Sequence, residues 1–287
     1  MSDESQVRVT ADTNVFYYLG NGSATKTNFV FEGEQLYATP VNALELVSGI
    51  TLKSWKARKA AAAAIVENGV MLADPESHLV SIFKRSTAAP EDFWLEGMKA
   101  LAQASSEDEL GSGVSDFKEK VTRSVKTEFA KAFRASHYED FVKDVAKACD
   151  QLVPGYADAV ANQTQAPIVE KANRKAIREF FLSPLFVATV FFGGLAHRYK
   201  LIANTTIDIQ KDETFDALRD LAPYCAVYGA YLKGLATERR KPDVNDWGDL
   251  ELFLYLQPDT YIVTAEKRWR ALAAEVGLES RVRNTSG

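Results

Sequence analysis

Five acidic residues, Asp12, Glu45, Asp246, Asp249 and Glu266, stand where a folded chain could bring carboxylates together. Asp12 ends the apolar, β-branched stretch Val7-Arg8-Val9-Thr10-Ala11, and Glu45 lies in a helical turn after a second strand-like stretch. Asp246 and Asp249, spaced i, i+3, share one face of a helix start, and Glu266 follows the strand-like Thr260 to Thr264. Acids gathered above the carboxyl ends of parallel strands form an oxygen-lined site for a hard divalent cation, and such a site can hydrolyse phosphodiesters. Crowded carboxylates raise one another's pKa, and a cation supplies the compensation. No histidines or cysteines are paired with these acids, so Mg²⁺ or Mn²⁺ suits the set. The leading expectation is a metal-dependent nuclease. Asp12, Glu45, Asp246 and Asp249 are its expected metal ligands, and Glu266 completes the catalytic group.

Each acid also has a plainer explanation. Asp12 before Thr13-Asn14 could cap a helix, and Asp246 and Glu266 are favoured in a first helical turn by the macrodipole alone. Glu45 is harder to explain away, because Ala43, Leu44, Leu46 and Val47 surround it and an acid in so apolar a turn asks for a partner, a metal or a lysine.

Behind these residues the patterning predicts strands over 6–12, 35–39 and 70–73, with a helix from Pro40 to Val47 capped by Thr39. A further helix over 52–67 carries a run of five alanines before Gly69. Strand, helix, strand alternation predicts a parallel α/β sheet. The middle differs: apolar residues from Phe117 to Leu152 recur every three or four positions, as in a long helix or helical hairpin. The apolar stretch 180–196 contains Pro184 and Gly193-Gly194 and reads as a buried helix rather than a membrane span. A helix over 215–237 follows. The chain then returns to α/β, with a helix over 246–256 capped by Asn245, a strand over 260–264, a final helix opened by Glu266, and frayed residues from Val282.

The chain has 287 residues, 46% of them hydrophobic, enough for one large core or two moderate ones. A net charge of -5 argues against a surface that attracts nucleic acid everywhere. Basic residues nevertheless flank the acids: Lys53, Lys56, Arg58 and Lys59 follow Glu45, Arg239, Arg240 and Lys241 precede Asp246, and Lys267, Arg268 and Arg270 follow Glu266. Such clusters grip phosphate or merely solvate a helix face. Two cysteines, Cys149 and Cys225, make no disulfide framework, and the first residues do not read as a signal peptide, so the expected compartment is the cytoplasm.

Four of these segments resemble the motifs of PIN-domain ribonucleases: Asp12-Thr13-Asn14 after a strand, Glu45 within Thr-Pro-Val-Asn-Ala-Leu-Glu-Leu, the helix-opening Asn245-Asp246-Trp247-Gly248-Asp249-Leu250, and Ile262-Val263-Thr264-Ala265-Glu266. The resemblance implies a three-layer parallel sheet of PIN-like type, built from residues 1–75 and 211–287, with a large, mainly α-helical insertion over 76–210. It implies one or two Mg²⁺ or Mn²⁺ ions, hydrolysis of RNA with DNA left open, and, as in many bacterial members, a toxin held by an antitoxin or other regulatory protein. A homodimer is compatible with it, and a membrane partner is not expected. Asn14 and Thr264 would steady the site, and Arg240 and Arg268 would hold substrate phosphate. Spacing to the last motif favours Asp249 over Asp246 as the third ligand, and Glu266 stands where the family usually has Asp.

A rival from another class is a PIN-like binding or scaffold module whose helical insertion docks a partner. A haloacid-dehalogenase-type phosphatase needs an Asp where Asn14 stands. No glycine-rich phosphate loop opens a helix.

Overall fold

The computed structural model describes residues 7–47, 54–84, 86, 88–124, 166–196, 212–238 and 244–285, with isolated positions 147, 150, 154, 155, 158, 199 and 201. The chain divides into two compact units, one made of Met1–Lys126, Glu251–Arg270 and Arg281–Gly287, the other of Thr127–Leu250 and Ala271–Ser280.

The first unit is α/β. Strands β1 (Val7–Ala11), β2 (Glu34–Ala38), β3 (Val70–Met71), β4 (Thr260–Thr264) and β5 (Val282–Asn284) form one sheet in the order β3-β2-β1-β4-β5, every pair parallel. Register sets Val9 beside Leu36 and Tyr261, and Ala11 beside Val263. Val9, Ala11, Leu36, Ala38 and Val263 are buried, the near-continuous apolar character expected of a parallel sheet. From the central β1 the chain first builds outward to β2 and β3, then returns to add β4 and β5 on the other side. The order therefore reverses between β1 and β4. A crevice opens above the carboxyl ends of strands at such a reversal.

Helices α1 (Thr13–Gly20), α2 (Pro40–Val47), α3 (Trp55–Asn68), α4 (Pro75–Lys84), α5 (Asp92–Gln103) and α6 (Glu107–Ser124) follow the first three strands. The alanine run lets α1 and α3 approach closely. A Cβ on Gly20 would lie 2.4 Å from the Ala60 carbonyl, so only glycine permits the contact. Ala61, Ala62 and Ile65 are buried in the same core as Val15, Phe16 and Leu46.

The second unit contains α7 (Ala166–Phe181), α8 (Pro184–Val190), a π-helical turn over Phe191–Leu195, α9 (Asp212–Asp220) and α10 (Ala222–Glu238). Ser183 caps α8 by accepting from the Phe186 N–H, with Pro184 in the first helical position. Gly229 of α10 lies against the Phe181 ring, where a Cβ would approach to 2.6 Å. Lys233 and Glu275 form an ion pair in which the lysine is almost fully buried. Two last helices are α11 (Val244–Leu252) and α12 (Lys267–Glu275).

Several expectations need correcting. The helix expected over 215–237 is two helices, broken at Leu221, because the ring of Pro223 cannot follow a continuous helix. The 246–256 helix starts at Val244 and closes in a 3₁₀ turn over Phe253–Tyr255, and β3 stops at Met71. The end expected to fray forms β5, whose Arg283 makes a bidentate ion pair with Glu34 at 2.6 and 2.8 Å and stacks over Tyr261. Phe117 and Val121 are buried in α6, while most of the apolar stripe beyond Ser124, with Cys149, His137 and His197, lies outside the described residues. Among the described residues no helix is long and apolar enough to cross a membrane.

Candidate functional site at the carboxyl ends of the strands

Asp12 leaves the end of β1 at the reversal of strand order. Its main-chain N–H still belongs to the ladder, donating to the Val263 carbonyl at 3.0 Å. The side chain turns back as the N-cap of α1, with Oδ1 accepting from the Val15 N–H at 3.3 Å. Oδ2 accepts from the Ala265 N–H at 3.0 Å, just beyond β4. The Thr264 hydroxyl, which accepts from the Glu266 N–H at 3.0 Å, lies near enough to this carboxylate to lower its pKa. Asp12 is thus tied to both strands that flank the crevice. Burial pushes its pKa up against the lowering effect of these bonds, with Asn14 adding its own N–H.

Glu45 reaches the same place from α2, with the Thr13 hydroxyl near enough to its carboxyl to lower its pKa. Burial, followed by the negative charges of Asp12 and Glu266, pushes Glu45 up to about 7, and the Arg58 charge opposes the shift. Arg58, from α3, donates to the main-chain carbonyls of Glu45 and of Leu46, the latter at 2.9 Å, and so holds the last turn of α2. Tyr17, half-buried, stands within the electrostatic reach of both Arg58 and Glu45.

The structure therefore places both Asp12 and Glu266 within electrostatic reach of Glu45. Glu266 is the exposed member. Asp246 and Asp249 belong to the second unit. There Asp246 is buried and accepts a hydrogen bond from the Tyr231 hydroxyl at 2.8 Å, while Asp249 is half-buried in α11. Arg268 lies with its guanidinium 4.9 Å from the Trp269 ring centre, and Arg240 is outside the described residues.

Asn42 stands within the Thr-Pro-Val-Asn-Ala-Leu-Glu-Leu motif with no role expected for it. The residue is fully buried and links α2 to the end of β1, donating from Nδ2 to the Ala11 carbonyl at 3.1 Å and to Thr13 Oγ1 at 3.2 Å. Its Oδ1 accepts from the Thr39 N–H at 2.6 Å, so Thr39 and Asn42 form half of a capping box. The expected cap is thereby reversed: the Thr39 hydroxyl donates to Asn42 instead of receiving a helix N–H. An amide between Val41 and Ala43, three positions after a threonine, was the available signal.

The donor chemistry fits a hard cation. Two carboxylates from adjacent elements, one of them pushed up to about 7 by burial and further by neighbouring negative charge, gain from a positive charge between them. Among the described residues no three His, Cys, Asp or Glu side chains form a metal-holding group. Two are enough for Mg²⁺, which commonly keeps several waters and takes one or two carboxylates together with substrate phosphate.

An open cleft of about 650 Å³ along α4 is lined by Asp74, Ser77, Ser81, Lys84 and Glu91 among others, and shares no residue with the strand-end acids. Asp74 is engaged there in accepting from the Glu76 and Ser77 N–H groups.

Compared with protein-family models, with curated proteins and with solved structures, the chain matches none.

Proposed function

We propose that the first unit is a PIN-like, three-layer nuclease domain that hydrolyses RNA phosphodiesters with a divalent cation, Mg²⁺ or Mn²⁺, held by Asp12 and Glu45. One observation carries the reading: Asp12, Glu45 and Glu266 converge where strand order reverses, and their mutual repulsion is what a cation would relieve. The family resemblance also assigns ligation to Asp246 and Asp249. The acids of the first unit, Asp12, Glu45 and Glu266, suffice for the site proposed.

A bound divalent cation in such a site lowers the pKa of water and neutralises charge at the reacting phosphate. Hydrolysis adds a water oxygen to phosphorus and breaks the bond to the 3′ oxygen, which leaves with a proton. The chain's own groups prepare this step. N–H donors from Val15 and Ala265 fix the Asp12 carboxylate, leaving lone pairs on both oxygens. Arg58 holds the main chain of the α2 turn that carries Glu45. Glu266, exposed beyond β4, orients the attacking water. Without compensation the three acids would repel a polyanion.

A binding or scaffold module remains the second reading, favoured by the fact that each Asp12 oxygen already accepts a main-chain N–H. Cleavage separates the two. Purified protein should cut single-stranded RNA with Mg²⁺ or Mn²⁺, stop when the metal is chelated, and lose at least about a thousandfold of its rate in Asp12→Ala, a change that takes the metal's share of the barrier with it. Equal cleavage by Asp12→Ala defeats the nuclease reading.

A further inference from the structure

We propose that the corner between α7 and α8 docks on the surface of an anionic lipid bilayer, a partner the family resemblance does not imply. Leu182, Pro184 and Leu185 enter the apolar layer, and Arg178 and Lys175 lie at the headgroup phosphates.

The apolar stretch 180–196, read from sequence as a buried helix, buries only one side. Phe186, Val187, Val190 and Phe191 are buried, whereas Leu185 is 74% exposed, Phe192 37% and Leu182 36%. Leu185, Thr189 and Phe192 follow one another at helical spacing and form one outward line. No Asp, Glu, Lys or Arg occurs between Phe180 and Ala196. The polar side chain on that line is already satisfied, because the Thr189 hydroxyl donates to the Leu185 carbonyl at 2.8 Å. A face with neither charge nor unmet side-chain hydrogen bond leaves water at little cost.

Charge and geometry name the occupant. Beyond the kink at Asn173, Lys175, Arg178 and Leu182 are spaced i, i+3, i+7 and share a face of α7. Both cations are exposed, and the pair that Lys175 makes with Glu179 at 3.8 Å lies in solvent, where such pairs are weak. At 1.5 Å per residue Arg178 and Lys175 stand roughly 6 and 10 Å behind Leu182. An interfacial helix buries its apolar side to a similar depth, so a corner seated among the acyl chains brings both cations to the phosphates. Helix α7 carries four basic and two acidic residues in a chain of net charge -5, so the positive charge is local.

The corner is also preformed. Ser183 caps α8, the rings of Phe180, Phe181 and Phe186 pack at 5.0 to 5.7 Å from one another, and Gly229 lies against Phe181. A rigid wedge loses little freedom on docking. Aliphatic side chains at the tip offer no flat face to stack on bases, which favours lipid over RNA. A bilayer span needs about 20 residues, far more than α8 and its π-helical turn supply, so the segment lies on the membrane.

The test is co-sedimentation of the full chain with vesicles of phosphatidylcholine alone or of equal parts phosphatidylcholine and phosphatidylglycerol. Binding is expected to the anionic vesicles only, and to fall in high salt. Leu185→Glu should weaken it about tenfold or more, while Leu185→Trp should retain it, because an aromatic ring suits the interface. Lys175→Gln should weaken it about fivefold, the share of one cation near an anionic surface. Leu185 already faces solvent, so Leu185→Glu should keep the wild-type urea midpoint. Should that midpoint fall, Leu185→Ser takes its place. No binding to anionic vesicles, or binding that Leu185→Glu leaves intact, overturns the proposal. Other occupants declare themselves in the same variants. A wild-type dimer, seen by light scattering and lost in Leu185→Glu without vesicle binding, gives the corner to a second copy. RNA binding lost in Lys175→Gln without vesicle binding gives it to nucleic acid. Either result overturns the lipid assignment.

Discussion

Asp12 and Asp74 are two buried acids in similar local settings within one unit. Each lies just beyond a strand, and each caps the helix that follows, Asp12 through Val15 and Asp74 through Glu76 and Ser77. What separates them is the sheet. Asp12 leaves the central strand at the reversal of order, where β4 delivers Glu266 and α2 delivers Glu45. Asp74 follows the edge strand β3, and its charge acts on His78 and Tyr255, whose rings stack at 4.5 Å. The Tyr255 hydroxyl donates to the Ala73 carbonyl at 2.8 Å, and His78 Nε2 lies 3.0 Å from the Leu254 carbonyl. One acid sits among like charges, the other beside rings already bonded to main chain. Capping is common to both, so a capping bond neither supports nor removes a catalytic role; the company of the carboxylate decides.

The comparison breaks most readily on activity. Asp12→Ala should abolish metal-dependent cleavage, whereas Asp74→Ala should leave kcat/KM within about twofold, since its losses fall on stability. Comparable losses of activity in both variants would remove the distinction.

Acid pH should expose the Asp74 side. Burial pushes His78 down to about 4, whereas in the unfolded chain it titrates near 6.5. Between those values the unfolded chain holds the extra proton. This contribution is complete above about 6.5 and is lost as pH falls toward 4, by at most roughly 3 kcal/mol. Urea denaturation from pH 7 to 4 should show the loss, and His78→Gln should flatten that limb. An unchanged limb in the variant would place the acid sensitivity elsewhere. The smallest effect is the cap itself: Asp74→Ala should cost about 1 kcal/mol in the same assay at pH 7.

Much of this comparison was legible in the sequence. The β-branched run before Asp12, the Pro40 start of α2 and the Thr260–Thr264 strand all declared themselves by local pattern, because parallel strands buried on both faces are apolar throughout. Local pattern could not show β5. Its three residues hold no apolar run, and its anchor is a pair between Arg283 and Glu34, 249 positions apart. Pro223 signalled the break before α10 and was outweighed by the apolar stripe around it. Asp246 read as a metal ligand or a helix-start charge, while its Tyr231 partner comes from the preceding helix and left no mark in spacing. Asn42 was hidden for the same reason: its meaning depends on the end of β1 lying against α2.

The central claim is that the acids at the reversal of strand order hold a divalent cation, and calorimetric titration of metal-free protein with Mn²⁺ at pH 6, in two buffers of different protonation enthalpy, tests it most directly. Glu45, raised from 4.5 to about 7, carries a proton at pH 6 in the ion-free protein and must release it to bind the ion. The predicted result is binding accompanied by proton release, lost in Asp12→Ala and retained without proton release, though weaker, in Glu45→Gln. Absence of binding at millimolar Mn²⁺, or binding that Asp12→Ala leaves intact, would contradict the claim.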